Sequence, residues 1–298
     1  MKFKWEGIFP ALTTKFTKDD RLDLDLFKKN LDAQLRAGVN GIVLGGSLGE
    51  ASTITLEEKE ILVKTAHERI NGRIPVILNI AEGSTKDALS QVMLAEKWGA
   101  DGLMVLPAMR YKTDHRETVQ WFKMIADHTD LSIMIYNNPV DYKTEVTLDM
   151  FDDLKDCRNI QAVKESTRDV TNVTRMRNRF KDRYQILCGV DTLALEELCL
   201  GADGWVAGLV CAFPRETVRI YQLVKDGKLE EARKIYRWFM PLLELDIHSK
   251  LVQYIKLAEE LTGIGSSYVR APRLSLEGEE KERILKLIRE GINSRPQL

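Results

Sequence analysis

The sequence predicts a (β/α)8 barrel followed by a C-terminal helical extension, and three observations carry that expectation. A phrase recurs: AGVNGIVLGG at 37–46, GADGLMVLP at 99–107 and GADGWVAG at 201–208. In each, the first glycine stops a helix in the left-handed conformation, Asn or Asp turns the chain, and an apolar run follows that reads as a strand buried on both faces. The second observation is that apolar runs and amphipathic segments alternate eight times without interruption. The third is that no G-x-G-x-x-G turn is present, which disfavours an open doubly wound sheet.

The elements follow in order. GIFPALTT at 7–14 is the first strand, with Pro10 tolerable only near an end or a bulge. Leu24, Phe27, Leu31 and Leu35 share one face of a helix over 22–37. After the second strand, Thr55 and Glu58 form a capping box ahead of Ile61 and Leu62. IPVILNI at 74–80 is the third strand, and Ser84 or Thr85 caps the next helix. The fourth strand lies in 99–107, and SIMIYN at 132–137, IQAVKES at 160–166 and YQILCG at 184–189 are the fifth to seventh. The eighth lies in 201–208, and Pro214 with Glu216 suits the first turn of the eighth helix. The barrel units are used up near Asp226, so residues 1–226 are read as the catalytic barrel and 227–298 as the helical extension. That tail holds three helical patterns, with Pro241 expected to kink or end the first and GIGSSYVRAPRLSL at 263–276 an irregular link before the last. Trp238, Phe239 and Tyr254 are candidate buried anchors, against the barrel or against a neighbouring subunit.

Composition narrows the function. The 298 residues carry 44 Lys+Arg against 45 Asp+Glu, interspersed along helical segments, which argues against nucleic acid as a partner. No apolar run approaches the roughly 18 residues of a membrane helix, and charges and Pro10 interrupt the N-terminus where a signal peptide needs an apolar core. No membrane association and a cytoplasmic location are therefore expected. Cys157, Cys188, Cys199 and Cys211 lack C-x-x-C spacing and are expected to be reduced, mostly core thiols; the four histidines, His67, His115, His128 and His248, form no ligand pattern. No metal is expected.

Active sites of this barrel class lie at the C-terminal strand ends. The polar residues there are Thr13 and Thr14, the GGSLGE segment at 45–50, Tyr136-Asn137-Asn138, and Lys164 to Thr167. Lys164 ends a buried strand, where desolvation lowers an amine's pKa and frees it to attack a substrate carbonyl. Its alternative role is structural, paired with Glu165 or another carboxylate. Tyr136, at the matching position of the adjacent strand, is either a proton relay or a tyrosine that caps the core. Gly46, Ser47 and Leu48 offer backbone N–H groups and a hydroxyl that suit a small carboxylate, although such glycine-rich loops are common for conformational reasons alone.

Together, Gly46-Ser47-Leu48-Gly49-Glu50, Tyr136-Asn137-Asn138-Pro139 and Lys164-Glu165-Ser166-Thr167 resemble the dihydrodipicolinate synthase and N-acetylneuraminate lyase family, whose motifs read G-[TS]-T-G-E, Y-N-x-P and K-x-[TAS]. The resemblance runs over essentially the whole chain, including CGVDTLALEELCLGADG at 188–204. It implies barrel enzymes, usually homotetramers, that form a Schiff base between lysine and a 2-keto acid without a separate cofactor. On it, Lys164 is the imine-forming lysine, Tyr136 the acid/base phenol, and Ser47 with the Gly46 to Leu48 backbone the carboxylate site. A homo-oligomer, tetramer or dimer, is expected.

Departures from the family pattern bear on the substrate. Leu48 replaces a proton-passing threonine, and Met109 stands where the synthases carry a relay tyrosine borrowed from the neighbouring subunit, with Tyr111 close by but displaced. Asp141 occupies the position of an arginine that binds the aldehyde's carboxylate, with Lys143 or Lys112 as replacement cations, and Ser166 replaces the threonine of the sialic acid lyases. A carboxylate at 141 is expected to repel an anionic tail and to favour a hydroxyl or a cationic nitrogen. The expected reaction is thus deamination of 1-pyrroline-4-hydroxy-2-carboxylate to 2-oxoglutarate semialdehyde. Aldol cleavage or dehydration of 2-keto-3-deoxy sugar acids, 4-hydroxy-tetrahydrodipicolinate synthesis, and a non-catalytic carboxylate-binding barrel are the alternatives.

Overall fold

The computed structural model describes residues 3–108 and 111–298; position 109, where the family's relay tyrosine is replaced, lies outside the described residues. Eight parallel strands run β1 (Gly7–Pro10), β2 (Ile42–Leu44), β3 (Val76–Ile80), β4 (Gly102–Val105), β5 (Ser132–Asn137), β6 (Ile160–Glu165), β7 (Gln185–Cys188) and β8 (Gly204–Ala207). They pair in ring order from β2 through β8 to β1. Closure between β1 and β2 is thin: Ala11 bridges Val43, and the Leu12 N–H donates to the Val43 carbonyl at 2.9 Å. This is the (β/α)8 TIM-barrel architecture that the alternating pattern predicted.

The helices that wrap the barrel are α1 (Leu24–Ala37), α2 (Leu56–Ile70), α3 (Thr85–Trp98), α4 (His115–Ala126), then two short ones, α5 (Pro139–Tyr142) and α6 (Leu148–Asp153), followed by α7 (Thr171–Phe180), α8 (Ala194–Cys199) and α9 (Pro214–Lys225). The tail adds α10 (Leu229–Leu243), α11 (Leu251–Leu261) and α12 (Gly278–Asn293). The Thr55/Glu58 capping box forms, Ser84 rather than Thr85 caps α3, and Pro214 opens α9. Pro10 is tolerated because it is the last residue of β1. Pro241 does not end α10, which continues to Leu243: the missing N–H falls in the last turn, and the chain tightens at once into a 3-10 turn over Glu244–Ile247.

The recurring phrase has a reason in the barrel. Gly38 and Gly99, at φ 86° and 90°, end α1 and α3 in the left-handed conformation. The Asn or Asp that follows is more than a turn former, because its side chain satisfies the neighbouring strand. Asn40 accepts from the Ile8 N–H at 2.9 Å, Asp101 from Val76 at 2.9 Å, and Asp203 from Ile186 at 2.7 Å. The three side chains thus supply acceptors for N–H groups at the lower rim of the barrel, where the ladder begins.

Two buried charge clusters join the tail to the barrel mouth. Lys256 on α11 and Glu50, the last residue of GGSLGE, are both fully buried and paired; the Glu50 carboxylate also accepts the Arg270 backbone N–H at 3.0 Å. Beside them, Lys15 and Glu259 pair at 2.6 Å, and the Thr13 hydroxyl donates to the same carboxylate at 2.8 Å. Thr13 is therefore committed to the fold, as is Thr14, whose hydroxyl donates to the Gly49 carbonyl at 2.6 Å. The expected anchors of the tail pack within the chain. Phe239 is buried beside Phe213, Trp238 donates to the Gly291 carbonyl on α12 at 3.1 Å, and Tyr254 donates to Glu280 at 2.7 Å.

All four cysteines are free; Cys188 and Cys211 are buried, Cys157 half-buried and Cys199 exposed. No helix among the described residues is long and apolar enough to cross a membrane. Removing one member of a buried ion pair leaves the other charge uncompensated. Lys256→Met is therefore expected to cost about 3–5 kcal/mol of stability, read as a lower urea midpoint at unchanged slope.

Candidate active site

At the C-terminal mouth of the barrel lies a pocket of about 450 Å³, a size that suits a small metabolite. Lys164, Tyr136, Gly46, Ser47, Leu48, Asp141 and Ser166 all line it, so the residues expected from three separate strand ends meet in one cavity. The meeting is a consequence of register. Tyr136 on β5 pairs with Lys164 on β6, both side chains point inward, and the Lys164 Nζ sits 4.0 Å from the centre of the Tyr136 ring.

Lys164 is buried, and desolvation pulls its pKa below the ordinary lysine value; Asp246, Tyr142 and Asp191 oppose that pull. A pair between Lys164 and Glu165 is not formed. Successive strand residues face opposite sides, and the Glu165 carboxylate accepts instead from the Thr167 N–H at 2.8 Å and the Asn172 amide at 2.7 Å. Burial also raises the Tyr136 phenol, to about 12, so it stays protonated at neutral pH and can donate. The Asn138 amide donates to the Tyr136 hydroxyl at 3.1 Å and to Asp141 at 2.7 Å. Ser166 is buried, and its hydroxyl has no hydrogen-bond partner among the described residues.

Four residues not singled out from the sequence bear on the pocket: Tyr142, Arg168 and Asp246 line it, and Asp191 is buried beside it. Tyr142, three residues past Pro139, closes α5 and hydrogen-bonds its hydroxyl to that of Ser47. Its ring meets Tyr136 edge-on at 5.6 Å, and burial lifts its phenol to about 12. Tyr111 does not line this pocket: it is exposed, faces Glu117 and lines a different depression of its own chain. Arg168, four residues beyond Lys164, is the second. Its guanidinium lies 3.8 Å from the Asp141 carboxylate. Asp141 therefore does not stand alone, because a cation lies beside it. Neither Lys143, which donates to the Val140 carbonyl at 3.0 Å, nor Lys112 lines the pocket. Arg168 was legible as a basic residue in the strand-6 loop.

The other two are acids, Asp246 from the tail and Asp191 after β7. Asp191 is buried and accepts from the Trp205 indole at 2.8 Å and from the backbone N–H groups of Gly208 and Leu209 at 3.1 and 2.8 Å. Asp246 lines the pocket, and burial, followed by the nearby Asp191 charge, raises its carboxyl well above the ordinary range. No motif flags Asp246, since it stands in a helical tail without periodic polar spacing.

Residues 4–291 match the model of the dihydrodipicolinate synthetase family. The 4-hydroxy-tetrahydrodipicolinate synthase of Exiguobacterium sibiricum is 32% identical over 272 residues, covering 91% of this chain and 92% of its own. That of Methanoculleus marisnigri is 29% identical over 287 residues, covering 95% and 98%. Among solved structures, a dihydrodipicolinate synthase from Bacillus anthracis superposes with a TM-score of 0.93 at 25% identity, covering 99% of this chain and all of its own, and one from Aquifex aeolicus with 0.91 at 27%, covering 96% and 98%.

The lowered pKa has a consequence with a definite sign. Protonation removes the lone pair of Lys164, and the folded protein releases that proton below the usual pH. Reaction of Lys164 with a small aldehyde under cyanoborohydride should thus persist to lower pH than that of the exposed lysines and fall only as pH drops through the depressed value. Peptide mass spectrometry against exposed lysines checks it; a profile matching the surface lysines contradicts it.

Proposed function

The chain belongs to the dihydrodipicolinate synthetase family, and from that premise we propose that it is a lyase whose Lys164 forms a Schiff base with a small 2-keto or cyclic imino acid. The observation that carries the reading is a desolvated amine on the wall of a small pocket, packed against a protonated phenol. The Lys164 amine adds to the carbonyl carbon, the oxygen takes a proton from Tyr136, and loss of water leaves the iminium. Ser47 and the Gly46 to Leu48 backbone hold the carboxylate. Ser166, with its free hydroxyl, supports the substrate beside Lys164. No separate cofactor takes part, and the protein works as a homo-oligomer, tetramer or dimer.

Tyr142 supplies the proton path that Leu48 cannot. Its hydroxyl meets Ser47, its ring touches Tyr136, and it belongs to the same chain, so the relay needs no neighbouring subunit. Tyr142→Phe keeps the ring contact and removes the proton. It should lower the rate of imine formation about 10²-fold while leaving substrate KM within a factor of a few, as stopped-flow kinetics would read; an unchanged rate removes Tyr142 from the relay.

For the substrate, our first reading is a monocarboxylate bearing a hydroxyl, with 1-pyrroline-4-hydroxy-2-carboxylate as the best match. Attack on the ring imine opens the ring by transimination, the hydroxyl leaves as water, and hydrolysis releases ammonia. Asp141, Ser166 and Asp246 give the pocket oxygen groups for the hydroxyl and the departing nitrogen. A 2-keto-3-deoxy sugar acid, for aldol cleavage or dehydration, uses the same groups. The synthase reading is favoured by a specific observation, since Arg168 offers a charge for a second carboxylate and the named relatives are synthases.

One comparison separates these readings: ammonia release from the hydroxyproline-derived imine, cleavage or dehydration of 2-keto-3-deoxy acids, and condensation of pyruvate with aspartate semialdehyde, each measured with the wild type and with Lys164→Ala. The first should exceed the third by at least tenfold, and Lys164→Ala should abolish turnover while keeping the fold. A preference for aspartate semialdehyde establishes the synthase reading instead. Ligand binding without turnover on any of them establishes a non-catalytic barrel.

A further inference from the structure

One acid of the pocket comes from outside the barrel units, and its position is specific. Asp246 is carried into the barrel mouth by the 3-10 turn over Glu244–Ile247, outside the eight strand and helix units. Its carboxylate occupies the space above Gly208, just after β8: a Cβ built on Gly208 would lie 2.1 Å from the Asp246 Oδ1. Gly208 is therefore the residue that admits the carboxylate, and the two positions are coupled by sterics.

We infer that Asp246 is the acid/base group that takes and returns the proton on the carbon next to the imine carbon. The inference rests on the Lys164 imine of the preceding section. A trigonal iminium carbon has three substituents. Its nitrogen belongs to Lys164 on β6, and its carboxylate goes to the loop after β2, across the barrel. Tyr136 on β5 faces the side from which the oxygen departs. The remaining substituent, the adjacent carbon, is thereby left for the remaining wall of the pocket, which Val190, Val206, Gly208 and Asp246 line.

The charged and titratable groups facing Asp246 come from several elements: Lys164 on β6, Asp191 in the turn after β7, Asp141 on α5 and Tyr136 on β5. Asp191 cannot serve as the base, because the Trp205, Gly208 and Leu209 donors occupy its oxygens. Tyr136 and Tyr142 remain protonated and act as acids at the oxygen. Asp246 is left, and desolvation together with the Asp191 charge makes it a stronger base than an exposed carboxylate. In the step, the C–H bond breaks, its proton moves to the Asp246 carboxylate, its electron pair forms the C=C bond of the enamine, and the iminium nitrogen becomes neutral. The reverse step returns a proton to carbon.

Pyruvate tests this without knowledge of the natural substrate. In D2O, the wild type should exchange the pyruvate methyl protons for deuterium, followed by NMR, and borohydride should add pyruvate to Lys164. Asp246→Asn should slow exchange by about 10²-fold or more while the borohydride adduct still forms at Lys164, and Asp246→Glu should recover part of the rate. Gly208→Ala, which displaces the carboxylate by a single methyl group, should give the same split. Exchange at the wild-type rate in both Asp246→Asn and Gly208→Ala overturns the inference, as does loss of adduct and exchange together in Asp246→Asn, which makes the residue a partner of Lys164 only. A wild type that forms no adduct overturns the Schiff-base reading itself, and the two failures are thus distinguishable.

Discussion

The buried pair between Glu50 and Lys256 is the constraint on which the rest of the active face depends. Glu50 ends the glycine-rich loop after β2, with a left-handed backbone at φ 58°, and Lys256 stands in the middle of α11. Two charges removed from water are tolerable only when they meet each other and their remaining hydrogen-bonding capacity is met. Here the Arg270 N–H and the Tyr268 carbonyl, both from the link before α12, meet that requirement. One contact therefore fixes the carboxylate loop at one end and the tail at the other. The neighbouring Lys15 and Glu259 pair repeats the arrangement from β1.

Because the tail is clamped to the mouth, it can contribute to the pocket as well as cover it. The turn that follows α10 brings Asp246 over Gly208, and the barrel supplies the opposing charge through Lys164. The pocket is thereby electrically mixed: a desolvated amine, a guanidinium beside Asp141, the Asp246 carboxyl with the buried Asp191 nearby, and two phenols that hold their protons. Low local dielectric strengthens each of these interactions and pushes the pKa values of amine and acid toward one another, the condition under which protons move between them near neutral pH.

Much of this was legible in the residues. Lys164 and Tyr136 stand where buried strands end, and parallel pairing brings matching positions of adjacent strands together, so their contact followed from two apolar runs. The Ser47 loop announced itself by its glycines. Tyr142 was not legible because the strand-5 motif ends at Pro139, while one further turn of helix, capped by Asn138, swings the phenol back onto Ser47. Arg168 was missed because a basic residue in a loop reads as solvated; in the fold it lies beside Asp141.

The sequence by itself determined the barrel, its strand ends and the lysine, because burial on both faces, glycine caps and Asn or Asp acceptors are local signals that repeat with the unit. It also determined that a helical tail follows. Only the tertiary structure decided which acids share the pocket with Lys164. Asp246 lies 82 positions beyond that lysine in a segment with no motif, and its approach depends on a missing methyl group at Gly208 and on an ion pair that holds the tail in place. Such proximity comes from chain closure over long separations, and no local spacing encodes it.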